Sequence, residues 1–259
     1  LPTERDGETW SREEHIIAFH LYNRIPFGRI HIRNPEVIEL SGLLGRKVGS
    51  VSRKLANFSR LDPFHQARSV RGLEHGSKGE EEVWNEFLER PEALSYESAQ
   101  LLAARLGCSI ERVAEIDDSE LPPPGKEREA LVKLRVNQGF FRQRVLSVYD
   151  FRCCVTGLSC RPLLVASHIV PWSEDASNRL NPRNGLCLNA LHDRAFDRGL
   201  MWIGLDYTIR ISSRLRETTN VAQPAIDWLM GFDHKRLLLP EKFAPDPALL
   251  AVHASRWAE

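Results

Sequence analysis

The sequence predicts an α+β protein in two parts: a helical, helix-turn-helix-like N-terminal domain and a C-terminal domain built around a ββα unit. Three observations lead there. Up to about residue 106 the apolar residues recur at helical spacing, with capping signals and glycines between the periodic stretches. Asp117–Gly125, DDSELPPPG, is acidic and then carries three prolines, a composition that favours an extended spacer. Beyond it, two short apolar runs, Leu163–Ile169 and Asn184–Leu188, precede a helical pattern over Leu188–Asp197. The expected domains are 1–116 (helical), 117–126 (Pro-rich linker) and 127–259 (the ββα part).

The first helix is expected over Trp10–Asn23. Ser11 and Glu14 form an S-x-x-E capping box, and Ile16, Ile17, Phe19, Leu21 and Tyr22 supply a buried face. Pro26 and Gly28 break it. Asn34-Pro35 starts a second helix, which Gly42 and Gly45 bring to an end, and a third covers about Ser50–Phe58. Between Ser41 and Arg60 the chain carries Arg46, Lys47, Arg53, Lys54 and Arg60 and no acidic residue. Two short helices, a tight turn and a basic face resemble a helix-turn-helix reader, with DNA contacts expected from Arg46, Lys47, Arg53 and Lys54. The plainer reading is a solvated basic face. Two more helices, EEEVWNEFLE and SYESAQLLAARLG, read as supporting packing.

After the spacer, Lys126–Tyr149 reads as one long helix with Leu131, Leu134, Phe141, Val145 and Val148 inward. Its other face, Arg128, Lys133, Arg135, Arg142 and Arg144, suits either phosphate contact or solvent. Met201–Ile211 reads as a hairpin, and Ile226–Met230 and Pro247–Trp257 as short covering helices. Trp172 and Trp202 are expected in packing, with stacking on bases as the other use. His15, His20, His31, His65, His75, His234 and His253 have no partners at motif spacing and read as surface or satisfied histidines.

Composition excludes several classes. No apolar run is long enough for a membrane span, and the polar start LPTERDGETW shows no signal peptide. Five cysteines, an odd number, in 259 residues do not make a secreted disulfide framework. A reducing, cytoplasmic compartment is expected. Formal net charge is zero, so any nucleic-acid surface must come from local clustering.

The chemistry concentrates between Leu163 and Met201. Hydrolysis of a phosphodiester needs a base for water, a metal to neutralise phosphoryl charge and help for the leaving oxygen. His168, closing the first strand, suits the base because a histidine pKa lies near working pH. Asn184 does not titrate and can pin the loop without competing for the proton. Asp193 and Asp197, at i and i+4, point the same way from one helix face, and their hard oxygens suit Mg2+ or Mn2+. His192 is expected either to reach the scissile phosphate or metal, or to pack locally.

Three blocks run through this segment, Ala166-Ser167-His168-Ile169-Val170-Pro171-Trp172, Asn184-Gly185-Leu186-Cys187-Leu188 and Phe196-Asp197-Arg198-Gly199. In that order and spacing the segment resembles the HNH (ββα-metal) endonuclease superfamily, and most of all its bacterial restriction and defence branch. The likeness covers about residues 137–203. It implies a C-terminal HNH nuclease domain with His168 as general base, Asn184 as the asparagine that fixes the loop, and Asp193, nine residues on, as helix ligand. Colicin-type members add a ligand four residues later, here Asp197. Two departures stand out. Many members carry Asp or Glu immediately before the base, where this chain has Ser167. Many also brace the unit with a four-cysteine zinc site, of which Cys154 keeps one position and Asn189–His192 none. No structural zinc is therefore expected, and Cys153, Cys154, Cys160 and Cys187 are expected as buried small groups.

The resemblance implies a metal-dependent DNA endonuclease acting on double-stranded DNA, modified or not, and leaving a 5′-phosphate and a 3′-hydroxyl. A single HNH unit cuts one strand, so a double-strand break calls for a homodimer or two nicks. The competing readings are a DNA-binding protein with a degenerate, inactive HNH domain, favoured by Ser167, and an RNA-directed or toxin nuclease.

Overall fold

In a computed structural model, which describes residues 7–67, 76–217 and 223–257, the chain divides into two compact units, 1–140 and 141–259. The expected His75 lies outside the described residues.

The first unit is helical. Helix α1 (Arg12–Tyr22) starts at the Ser11/Glu14 capping box and is buried from Glu14 through Tyr22. A helix buried on nearly every side sits in the centre of a bundle, here with Glu14, His15 and His20 buried alongside its apolar residues. Accordingly it packs against α3 (Val48–Leu61), α5 (Lys78–Phe87) and α6 (Pro91–Leu106). Phe19 meets Phe58 and Trp84 at ring-centroid distances of 4.9 and 5.2 Å. Helix α2 (Pro35–Leu44) is capped by the Asn34 side chain and ends at Gly45. The α2–turn–α3 pair is the expected helix-turn-helix-like element, with α3 longer at both ends than its periodicity suggests. Short helices α4 (Pro63–Ala67) and α7 (Ile110–Val113) were not anticipated.

Helix α8 (Lys126–Val148) is a single 23-residue helix with two buried seams. Val132, Val136 and Phe140 are buried in the first unit, and Phe141, Val145 and Tyr149 in the second. Each set is spaced by four, and the second is displaced from the first by one residue. Leu131, Leu134 and Val148, expected inward, are only half-buried. The compact units therefore part between Phe140 and Phe141, whereas composition puts the boundary at 117–126. The proline-containing stretch is held to its own unit: the Arg128 guanidinium bonds Glu111 at 2.9 Å and Asp118 at 2.6 Å.

The second unit is built on an antiparallel pair, β1 (Leu164–His168) and β2 (Gly185–Asn189), with Ser167 opposite Leu186 and His168 opposite Gly185. Helix α9 (Ala190–Asp197) follows directly and packs on both strands. Gly185 lets α8 close on the sheet: a Cβ there would fall 2.4 Å from Val145 Cγ2 and 3.0 Å from Phe141 Cζ. Gly199, at φ 65°, turns the chain from α9 into the hairpin β3 (Met201–Ile203) and β4 (Ile209–Ile211). Helices α10 (Arg214–Glu217), α11 (Gln223–Met230) and α12 (Pro247–Ala254) complete the unit, with His253 stacked on Phe196 at 3.7 Å. No helix among the described residues is long and apolar enough to cross a membrane.

Candidate active site

The loop joining β1 to β2 is tied down by one amide. Asn184 is completely buried. Its Oδ1 accepts from the Val170 N–H at 2.9 Å, and its Nδ2 donates to the Val170 carbonyl at 3.0 Å and to the Asn178 carbonyl at 3.1 Å. Asp175 folds the tip by accepting from the Ser177 and Asn178 amides, and Asn181 Nδ2 donates to Asn178 Oδ1 at 2.7 Å. Arg179 closes the loop, donating from Nε to the Trp172 carbonyl at 2.9 Å with its guanidinium 5.5 Å over the Trp172 ring. The result is a fixed Arg179 carbonyl.

That carbonyl lies 3.0 Å from Nε2 of His168. A carbonyl can only accept, so the partner assigns the proton to Nε2 and leaves the lone pair on Nδ1. The ring lies flat on Phe141, centroids 3.7 Å apart and planes 12° apart, with Trp172 edge-on at 5.7 Å. Burial lowers the imidazole pKa from its ordinary value, and the Arg179 carbonyl opposes part of that. His168 is therefore neutral at working pH, the form a proton acceptor needs.

One residue back along the strand, Ser167 faces α9. Asp193 is half-buried and Asp197 exposed on that helix. Burial raises the Asp193 carboxyl above its ordinary range and the charge of Asp197 adds to this, while the Ser167 hydroxyl and Arg194 pull it down. Asp197 is also raised, chiefly by desolvation, with Arg194 and Arg198 opposing. Ser167 is 3% exposed. Its hydroxyl is near enough to Asp193 to favour the carboxylate. Asp193 and Asp197 offer carboxylate oxygens of the hard kind that a divalent cation takes. Among the described residues no three His, Cys, Asp or Glu side chains gather into a metal cluster.

Three expectations need correcting. His192 does not join these carboxylates. Its ring is fully buried, 5.0 Å from Trp228 and 5.1 Å from Phe232, with Nδ1 3.1 Å from Asn189 Oδ1. Asn189 caps α9 by accepting from the His192 amide, and the same oxygen draws the ring inward. Desolvation pushes its pKa down to about 4. Arg46 and Lys54 are not surface cations. Arg46, 3% exposed, grips the Glu14 carboxylate at 2.8 and 3.1 Å and the Glu8 and Thr9 carbonyls, 4.6 Å over the Trp10 ring. Lys54, 8% exposed, pairs with the fully buried Glu80. Lys47 and Arg53 are exposed. Third, Cys160 is exposed, unlike Cys153, Cys154 and Cys187.

On the long-helix face, Arg142 donates to the Leu164 carbonyl at 2.7 Å and Arg144 to the Leu180 carbonyl at 3.3 Å, so both brace the site from behind. The sequence gives no sign of the Arg179 carbonyl, because a backbone acceptor has no side-chain signature. Ser167 was visible only as a missing acid. Comparison with known proteins finds no match among curated sequences. The family described as HNH endonuclease matches residues 153–204, which span β1, β2, α9 and β3. With a strand histidine, a loop-pinning asparagine and paired helix carboxylates in one ββα unit, this segment belongs to the HNH endonuclease superfamily.

Proposed function

We propose that the chain is a divalent-metal-dependent DNA endonuclease of restriction or defence type, in which His168 removes the proton from the attacking water. The carrying observation is the bond from His168 Nε2 to the Arg179 carbonyl. It fixes the tautomer, so that Nδ1 is the base, and burial keeps the ring neutral. Asn184 acts on that base through the loop it pins. Asp193 and Asp197 would hold the cation, Mg2+ or Mn2+. When bound there, the cation neutralises charge on the phosphoryl oxygens and the leaving oxygen.

Double-stranded DNA is the substrate. Formal charge favours the second unit for the phosphate grip: it holds 15 Lys and Arg against 12 Asp and Glu, while the first holds 20 against 23. Lys47 and Arg53 add exposed cations on the helix-turn-helix-like element. A homodimer is the route to a double-strand break. The free thiols of the described cysteines agree with a cytoplasmic setting.

Supercoiled plasmid incubated with Mg2+, Mn2+ or EDTA tests the reading. Metal-dependent nicking that falls by roughly 10²–10⁴ in His168→Ala is expected. Nicking that persists in EDTA, or that the substitution leaves unchanged, would overturn it. Ser167 in place of an acid favours one second reading, a DNA-binding protein that no longer cuts. Its signature is a shifted duplex with no nicking in any metal.

A further inference from the structure

We propose that Arg256 is a positioning residue for the base: through Glu174 it splints the β1–β2 loop, whose Arg179 carbonyl holds His168. The proposal rests on reading His168 as that base.

The loop leaves β1 after His168 and returns at Gly185, and both of its legs are tied to one short helix. Asp246 caps the start of α12 by accepting from the Ala248 N–H at 2.9 Å. Its own N–H donates to the Arg183 carbonyl at 3.0 Å, and its carboxylate lies 3.6 Å from the Arg183 guanidinium. That fastens the returning leg. Just past the other end of α12, Arg256 meets the outgoing leg. Its guanidinium reaches both oxygens of Glu174, Nη1 to Oε1 at 3.3 Å and Nη2 to Oε2. Two parallel bonds fix direction as well as distance. The helix between the two ties is a rod about 12 Å long. It is seated on the rest of the unit: His253 stacks on Phe196 of α9, and Trp257 fills the place beside Gly199 where a Cβ would fall 2.2 Å from its ring. The loop is thereby held to the helix that carries Asp193 and Asp197.

From Glu174 the path to the base is short. The Glu174 N–H donates to the Pro171 carbonyl at 3.0 Å. Asp175, next in the chain, gathers the Ser177 and Asn178 amides, and Arg179 donates back to the Trp172 carbonyl. The Arg179 carbonyl then meets His168 Nε2 at 3.0 Å. Helix α12 lies outside residues 153–204, so the family likeness does not include this splint. An exposed ion pair contributes little to overall stability. What Arg256 contributes is therefore the position of the loop.

Full-length Arg256→Ala, Glu174→Ala and the double swap Glu174→Arg with Arg256→Glu test this. Two readouts are taken: plasmid nicking in Mn2+, and the imidazole N–H resonance of His168, identified by its loss in His168→Ala. Thermal melts check folding and should stay near the wild type, as befits an exposed pair. Each single variant should lower kcat about three- to tenfold with KM for plasmid within about twofold. Each should also broaden the His168 N–H signal through exchange with water. The double swap should regain kcat and signal to within about twofold of the wild type. The two single variants remove opposite charges, so a direct phosphate contact by Arg256 would move KM in opposite directions. That result overturns the positioning role. Wild-type kcat and signal in both single variants would overturn it too, while the base assignment stands as long as His168→Ala abolishes nicking. If His168→Ala nicks as the wild type does, the base is wrong and the splint has nothing to position.

Discussion

Arg46 and Lys54 show how the same side-chain chemistry serves two ends. Both stand in a basic stretch beside Lys47 and Arg53, and nothing local distinguishes the four. Glu14, 32 positions before Arg46, and Glu80, 26 positions after Lys54, decide the matter by meeting them in the interior. A buried ion pair that loses one partner leaves an uncompensated charge, at a cost of about 3–5 kcal/mol. Arg46→Ala and Lys54→Ala should therefore each destabilise the protein by an amount of that order, about 3–5 kcal/mol, read as a lowered urea midpoint. Lys47→Ala and Arg53→Ala should leave stability within about 0.5 kcal/mol and instead weaken duplex binding and reduce its salt dependence. Urea melts beside mobility shifts at two salt concentrations would separate the pairs. A stable Arg46→Ala with impaired DNA binding would return Arg46 to the surface role.

The β1–β2 loop carries the same lesson one level up. The places of His168, Asn184, Asp193 and Asp197 in the fold were legible because the strand, loop and helix that hold them have local signatures: an apolar run ended by Pro171, a polar turn, and i, i+4 acids. Their consequences were not. That His168 would have its Nε2 occupied depends on a carbonyl eleven residues away, and that His192 would turn inward depends on aromatic residues of α11 and the turn after it. Helix α8 was legible as a helix but not as a shared one, because its seam shifts by one residue at Phe140 and Phe141, which a single periodicity does not register. Asn184 makes three hydrogen bonds to the loop backbone, two of them buried. Truncating it leaves those groups unpaired at about 1–3 kcal/mol for each that water does not reach. We expect Asn184→Ala to destabilise the second unit by about 2–4 kcal/mol and to depress nicking more than that loss of folded protein explains. Increased proteolysis within residues 170–183 should accompany it. A variant with wild-type protease resistance in this loop and wild-type nicking would show that the amide does not hold the base in place.

Burial of histidine links the two units through their response to acid. His15 and His20 in the first unit and His168, His192 and His253 in the second all have pKa values lowered by desolvation, His253 to about 4. A histidine held neutral in the fold binds fewer protons there than in the unfolded chain. Its contribution is complete above the ordinary value of 6.5 and is lost as pH falls from there toward the folded value. For His253 the window runs from 6.5 to about 4. A contribution on the order of 1–2 kcal/mol is reasonable once solvent screening is allowed for. The whole chain should lose stability steadily from pH 7.5 to 5, before most carboxylates titrate. His253→Phe keeps a ring that can stack on Phe196 and removes the titration, so its urea midpoint should fall less steeply over that interval than the wild type's. A wild-type midpoint that stays flat between pH 7.5 and 5 would mean that these rings meet water more freely than their packing implies.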